Sequence, residues 1–152
     1  SYAPLLARRG HTQWTPDMIY FDSVNVYFTA NYYVQQLFGQ NGGDRCLETK
    51  LAAGDSKKLA VSSVVDSGSG DLIVKIVNGA DTPANITIRL AGLSPDAPMK
   101  AVKTVLSDPD ADAVNEDAKE PVIKPIQSTE LVKSVFTYEA PANSLTVYRI
   151  NR

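Results

Sequence analysis

Few residues in this chain have the types and spacing that chemistry requires. Cys46 is the only cysteine and His11 the only histidine. A thiolate nucleophile needs a base within hydrogen-bonding reach, and these two lie far apart in sequence. Cys46 therefore reads as a small buried side chain at a strand start, and no intrachain disulfide can form. Asp108, Asp110 and Asp112 follow the D-x-D-x-D spacing that opens a calcium loop. The match then fails, because Ala113 stands where that loop needs Gly and Lys119 where it needs Glu. A solvated acidic loop remains, with at most a weak calcium site, and no metal or cofactor is expected. Asn85-Ile86-Thr87 is a glycosylation sequon, but it lies in an alternating apolar run and reads as sheet. No phosphate-cradling loop and no Ser/His/Asp order stands out.

Composition narrows the classes. The 152 residues are 43% hydrophobic and 21% charged, ordinary for a folded chain, and one domain with a short appended segment is expected. The formal net charge is −2, with no basic stripe to release counterions from phosphates, so no nucleic-acid partner is expected. Arg8-Arg9 reads as a solvated turn. No run of eighteen apolar residues exists, so no membrane span is expected. Arg8-Arg9 also follows the short apolar start instead of preceding a long one, unlike a signal peptide.

The elements that would position these groups change character along the chain. Residues 2–6 (YAPLL) read as a short buried strand, residues 9–17 as loop, and Met18–Phe21 as a brief extended stretch. Asn31 can cap a helix over residues 31–40. In it Tyr33/Leu37 and Val34/Phe38 form i,i+4 pairs on one apolar side, and Gly39 and Gly42-Gly43 offer a left-handed stop. From Asp44 the period becomes two. Strands are expected at 46–52, 59–66, 71–78, 84–91, 99–107, 131–138 and 144–150. Leu72, Val74 and Ile76 point one way; Ile86, Ile88 and Leu90 face the core, with Thr87 and Arg89 in water. Leu145 and Val147 alternate likewise with Thr146 and Tyr148. Turn residues separate the strands at Gly54-Asp55, Ser67–Gly70, Asn78-Gly79 and Pro141–Asn143. Short strands at this spacing, with no helix between them, argue for a mainly β, antiparallel β-sandwich. Residues 108–128, acidic and broken by Pro109, Pro121 and Pro125, read as a long connection suited to crossing between sheets.

Several segments together resemble the C-terminal portion of α-L-arabinofuranosidases of glycoside hydrolase family 51. They are SYAPLL with WTPDMIYFDS and NYYVQQLF, then LIVKIVNGADTPANITIRLAG, then FTYEAPANSLTVYRI. Between them, LSDPDADAVNEDAKEPVIKPI is similar to that family's Leu…Asn…Pro…Val…Pro linker. The resemblance implies that residues 1–43 are the last strand, loop and helix of a (β/α)8 barrel, and residues 44–152 a jelly-roll-like sandwich. It implies a parent that releases terminal arabinofuranosyl groups from plant-wall polysaccharides with retention, which requires a carboxylate nucleophile and an acid/base about 5–5.5 Å apart. Such a parent is expected in the periplasm or outside the cell, an inference from substrate alone.

The family's catalytic glutamates lie upstream of anything resembling YAPLL. Glu48, Glu116, Glu120, Glu130 and Glu139 match none of those motifs and read as solvated strand or loop carboxylates. No catalytic residue is carried over, and this chain alone is expected to be inactive. Barrel active sites are built from loops after strands, so His11 and Trp14, in the loop Arg8–Trp14, are the substrate-binding candidates. A Trp face stacks well on sugar C–H groups. The simpler expectation is that Trp14 packs beneath the loop and His11 sits in solvent.

Two other roles compete with a structural one. A carbohydrate-binding module needs an exposed aromatic platform, and residues 44–152 offer only Phe136 and Tyr138 on one strand face and Tyr148 opposite. Tyr20, Tyr27, Tyr32 and Tyr33 read as packing aromatics around the helix. A protein-interaction sandwich would use the helix, whose apolar side must pack on the sandwich, self-associate through residues 31–40, or disorder. The catalytic barrel of the same parent chain is the partner expected first.

Overall fold

A computed structural model describes residues 4–52, 58–115 and 121–151. Its first part is a small sheet of β1 (Leu6–Arg8), β2 (Ile19–Phe21) and β3 (Val26–Phe28). β1 runs parallel to β2, and β2 antiparallel to β3. Tyr20 and Tyr27 stand directly opposite and are both buried, so the hairpin closes on its aromatics. Asp22 makes the turn: its Oδ1 accepts the backbone N–H groups of Val24 and Asn25, each at 2.8 Å. The strand expected at the start begins only at Leu6, and Leu5 and Leu6 are exposed, not buried. Residues 1–3 lie outside the described residues.

Helix α1 spans Ala30–Gln40 and is capped by Thr29, not Asn31. The Thr29 hydroxyl accepts from the Tyr32 N–H and donates to the Met18 carbonyl at 2.8 Å, tying the helix start to the small sheet. The helix ends at Asn41, whose backbone and side-chain N–H groups both reach the Leu37 carbonyl. None of the expected stop glycines is left-handed. Gly43 serves a close approach instead, since a Cβ there would lie 2.6 Å from the Val65 carbonyl oxygen.

From Arg45 the chain builds two antiparallel sheets facing each other. The larger has six strands in the order β4 (Arg45–Cys46), β5 (Leu59–Val65), β6 (Leu72–Asn78), β11 (Ser144–Ile150), β8 (Met99–Ser107) and β9 (Ile126–Val132). The smaller pairs β10 (Val135–Ala140) with β7 (Ala84–Arg89). Leu72, Val74, Ile76, Tyr148 and Ile150 fill the space between the sheets with Tyr138 and Ala140. Ile86, Ile88 and Leu90 join them, and Thr87 and Arg89 are exposed, as the alternation requires.

The outer face of the large sheet is covered too. Ile73, Leu106, Leu145 and Val147 pack on Leu37 of α1 and on Ile123. β6 and β11 are therefore covered on both faces, and every position in them except Val77 and Arg149 is buried. Of the three outcomes expected for the helix, packing on the sandwich is the one observed, and the side once a candidate for self-association meets the chain's own sheet.

Three strand expectations change. Within 46–52 only Cys46 belongs to a strand, and Cys46 is exposed, because the two-residue β4 lies at the sheet edge. The run expected at 131–138 is two strands, since the chain leaves the large sheet after Val132 and enters the small one at Val135. The connection after Ser107 joins β8 to β9 within one sheet and does not cross between sheets. It folds over the outer face, where buried Asn115 donates to the Phe28 carbonyl at 3.0 Å and to the Ile123 carbonyl at 2.7 Å.

Candidate functional site

The loop between β1 and β2 holds both substrate-binding candidates. Gly10 adopts φ +71°, and the Thr12 hydroxyl brackets Trp14 by donating to its carbonyl and accepting its N–H. This local turn turns Trp14 outward. Its side chain is 66% exposed and does not pack beneath the loop, and His11 is exposed as well. The two are brought onto one loop, with an indole face free for contact.

At the base of this loop the backbone turns in. Asp17 is fully buried, and neither carboxylate oxygen has a hydrogen-bond partner. Its N–H donates to the Tyr20 hydroxyl at 2.7 Å. Asp22, at the far end of β2, accepts from the Tyr27 hydroxyl at 2.6 Å, and that bond, with the Val24 and Asn25 N–H groups, holds its carboxyl well below the usual carboxylate range. The Arg9 guanidinium lies 5.2 Å from the Tyr27 ring centroid.

The remaining carboxylates are engaged elsewhere. Glu48 pairs in solvent with Lys50, and Glu139 is exposed on β10. Glu116 and Glu120 lie outside the described residues. Glu130 departs from the solvated reading: it is partly buried, accepting from the Tyr148 hydroxyl and from Lys103, both at 2.9 Å. Burial first, and the Glu130 carboxylate second, push the Tyr148 hydroxyl far above its ordinary range. Asp66 and Asp71 share Arg149. Hydrogen bonds from Ser69 and Arg149 hold Asp66 below the usual range. Burial opposes ionisation of Asp71, but Arg149 and Asn151 outweigh it and leave Asp71 low too. A retaining glycosidase needs one carboxyl protonated near neutrality, and these two are held as anions by one guanidinium. Among the described residues no cluster of His, Cys, Asp and Glu could hold a metal ion. Asp108 and Asp110 instead accept backbone N–H groups of their own loop.

The aromatics of the sandwich form no platform. Tyr148 packs edge-on against Phe136 at 5.5 Å and Tyr138 at 5.4 Å between the sheets, and is 1% exposed. Tyr148 thus meets the other two instead of lying opposite them. Apolar surface stays uncovered on the small sheet and its loops, at Leu5, Leu6, Trp14, Val24 and Val26, and also on the sandwich, at Val122, Ile126 and Leu131. Sequence reasoning passed over this patch, since β3 carries no signal of its own beyond three residues.

Comparison with known proteins follows this geometry. The family described as the α-L-arabinofuranosidase C-terminal domain matches residues 1–144. The chain is 32% identical over 154 residues to α-L-arabinofuranosidase A of Aspergillus niger, spanning 99% of this chain and 23% of that protein. It is 29% identical over 153 residues to α-L-arabinofuranosidase 1 of Arabidopsis thaliana, spanning 97% of this chain and 22% of that protein. An arabinose-bound family GH51 α-L-arabinofuranosidase superposes with a TM-score of 0.88 at 31% identity, over 99% of this chain and 24% of that one. The thermostable GH51 enzyme of Thermotoga petrophila shares the fold, with a TM-score of 0.75 at 18% identity over 88% of this chain and 31% of that one. The chain thus spans about a quarter of the length of the curated relatives it matches.

Proposed function

The chain belongs to the α-L-arabinofuranosidase C-terminal domain family, and from that premise we propose that it is the non-catalytic closing part of a retaining α-L-arabinofuranosidase. Residues 1–43 complete the parent's catalytic barrel, and residues 44–152 buttress it from outside. The substrate is a terminal arabinofuranosyl group on a plant-wall polysaccharide, and an enzyme acting on it works in the periplasm or outside the cell.

The observation that carries this reading is the unfinished small sheet. A three-stranded sheet with Leu5, Leu6, Val24 and Val26 exposed leaves apolar surface that water solvates poorly. Among the described residues β1 has a strand on one side only, as the last strand of an interrupted barrel would. Helix α1 then lies between two bodies, its Leu37 side on the sandwich and its other side toward the barrel. Trp14 and His11, both exposed on the loop after β1, are the residues of this chain that would meet the sugar, and their exposure supports that reading.

The test is an assay on an aryl α-L-arabinofuranoside, with this chain and the upstream-extended parent side by side. Turnover in the parent alone is expected. Turnover by the 152-residue chain would overturn the proposal and return attention to its own carboxylates.

A further inference from the structure

One motif is left without a role. Asn85-Ile86-Thr87 is the only Asn-x-Ser/Thr sequence in the chain. A glycan acceptor of this kind must offer its amide to solvent, with the hydroxyl two residues on beside it. β7 meets both conditions although it is a strand, because residues two apart in a strand share a face. Ile86 and Ile88 point into the core, so Asn85 and Thr87 stand together on the outer face, and both are exposed. Among the described residues the Asn85 amide makes no hydrogen bond. Asn78 and Asn115 are spent differently: both are buried, and their amides donate to the Ala140 and Ile123 carbonyls.

The order of the layers keeps this face open in a longer chain. Helix α1 packs on the outer face of the six-stranded sheet, and the β7–β10 sheet packs on the inner one. The barrel partnership enters through α1 and β1–β3. The outer face of the β7–β10 sheet therefore points away from it, with the six-stranded sheet between. Side-chain character agrees. Across the β7–β10 pair Asn85 faces Glu139, and Thr87 faces Thr137. These residues and Arg89 are exposed, and Val135 at the end is the apolar exception. The outer face of the six-stranded sheet, which α1 covers, carries Ile73, Leu106, Leu145 and Val147 instead. A face built for burial has that composition; the face bearing Asn85 is built for water.

We propose that Asn85 carries an N-linked glycan in the exported parent. The proposal rests on the export in the reading above and not on its catalysis. The glycan donor is an oligosaccharide on a polyprenyl diphosphate. Asn85 Nδ2 forms a bond to the anomeric carbon of that sugar, and the bond from this carbon to the diphosphate oxygen breaks. The amide gives up one proton, and the lipid diphosphate leaves. Fungi and plants, the sources of the curated relatives, supply such a donor on their export route.

The test is secretion of the full parent from a yeast behind an appended leader peptide, followed by mass analysis of the tryptic peptide 76–89. Endoglycosidase trimming leaves one N-acetylhexosamine on Asn85, a mass that deamidation at Asn78-Gly79 cannot mimic. Most copies of the peptide are expected to carry it. The sugar should be lost completely in Asn85→Gln and in Thr87→Ala, and retained in Thr87→Ser, which keeps the hydroxyl. A secreted parent whose peptide is bare overturns the proposal, and so does a sugar that survives Thr87→Ala. Turnover of an aryl α-L-arabinofuranoside, read on the same samples, separates the two readings. An active parent with a bare peptide removes the glycan alone. A glycosylated parent without turnover supports the glycan and removes the arabinofuranosidase reading alone.

Discussion

Arg149 sits on the outer side of β11 with a carboxylate on either hand, Asp66 from the turn after β5 and Asp71 from the start of β6. Ser69 donates to Asp66 and accepts from Arg149, so the turn and the two strands close on one charge. Both carboxyls have folded-state values below the ordinary range. Groups shifted in that direction add stability above the unfolded-state value, about 3.9 for Asp, and lose it as pH falls through the folded value. Thermal melts from pH 7 to pH 2 should therefore show a stability loss concentrated below about pH 4. Asp71→Asn should destabilise the fold at pH 7 by about 1–3 kcal/mol, for a charged hydrogen bond lost in a largely buried place, which the melts read as a lower midpoint, and should flatten the acid limb. Parallel curves for the two proteins would remove Asp71 from this account.

Helix α1 touches both parts of the molecule. Its Leu37 is 4% exposed and packs with Ile73, Leu145 and Val147, while its cap residue Thr29 holds Met18. Asn115 adds a second tie, joining the connection over the outer face to β3. Leu37→Ala should cost about 2–5 kcal/mol through lost burial and the cavity left behind. Amide exchange should rise in α1 and on the outer-face connection before it rises in β6 and β11, which keep their inner-face packing. Equal acceleration across both faces of the sheet would mean that the helix is not a separable layer.

At the scale of the whole molecule, the small sheet exposes Leu5, Leu6, Val24 and Val26, while the central sandwich strands β6 and β11 are covered on both faces. Adding the upstream part of the parent should slow amide exchange in β1–β3 and leave β6, β8 and β11 nearly unchanged; protection confined to the sandwich would contradict barrel docking. Much of this architecture is local in origin and legible without coordinates. The two-residue period from Asp44 onward, the i,i+4 apolar pairs of residues 31–40 and the turn residues after β5 and β6 act between near neighbours, so the sequence by itself determined a helix followed by an antiparallel sandwich. The same run of residues carries the family resemblance. What only the tertiary structure decided depends on groups distant in the chain. Thr29 outcompetes Asn31 as cap because it also reaches the Met18 carbonyl. The change of sheet at Lys133-Ser134 is invisible in a run of alternating residues, since each side of the break keeps the same period. Tyr148 becomes core because Tyr138 and Glu130 fold against it, and Trp14 faces outward because the Thr12 hydroxyl closes a turn around it. Periodicity tells a side chain which way to point along its own strand; which neighbour it meets there is set by the packing of strands far apart in sequence.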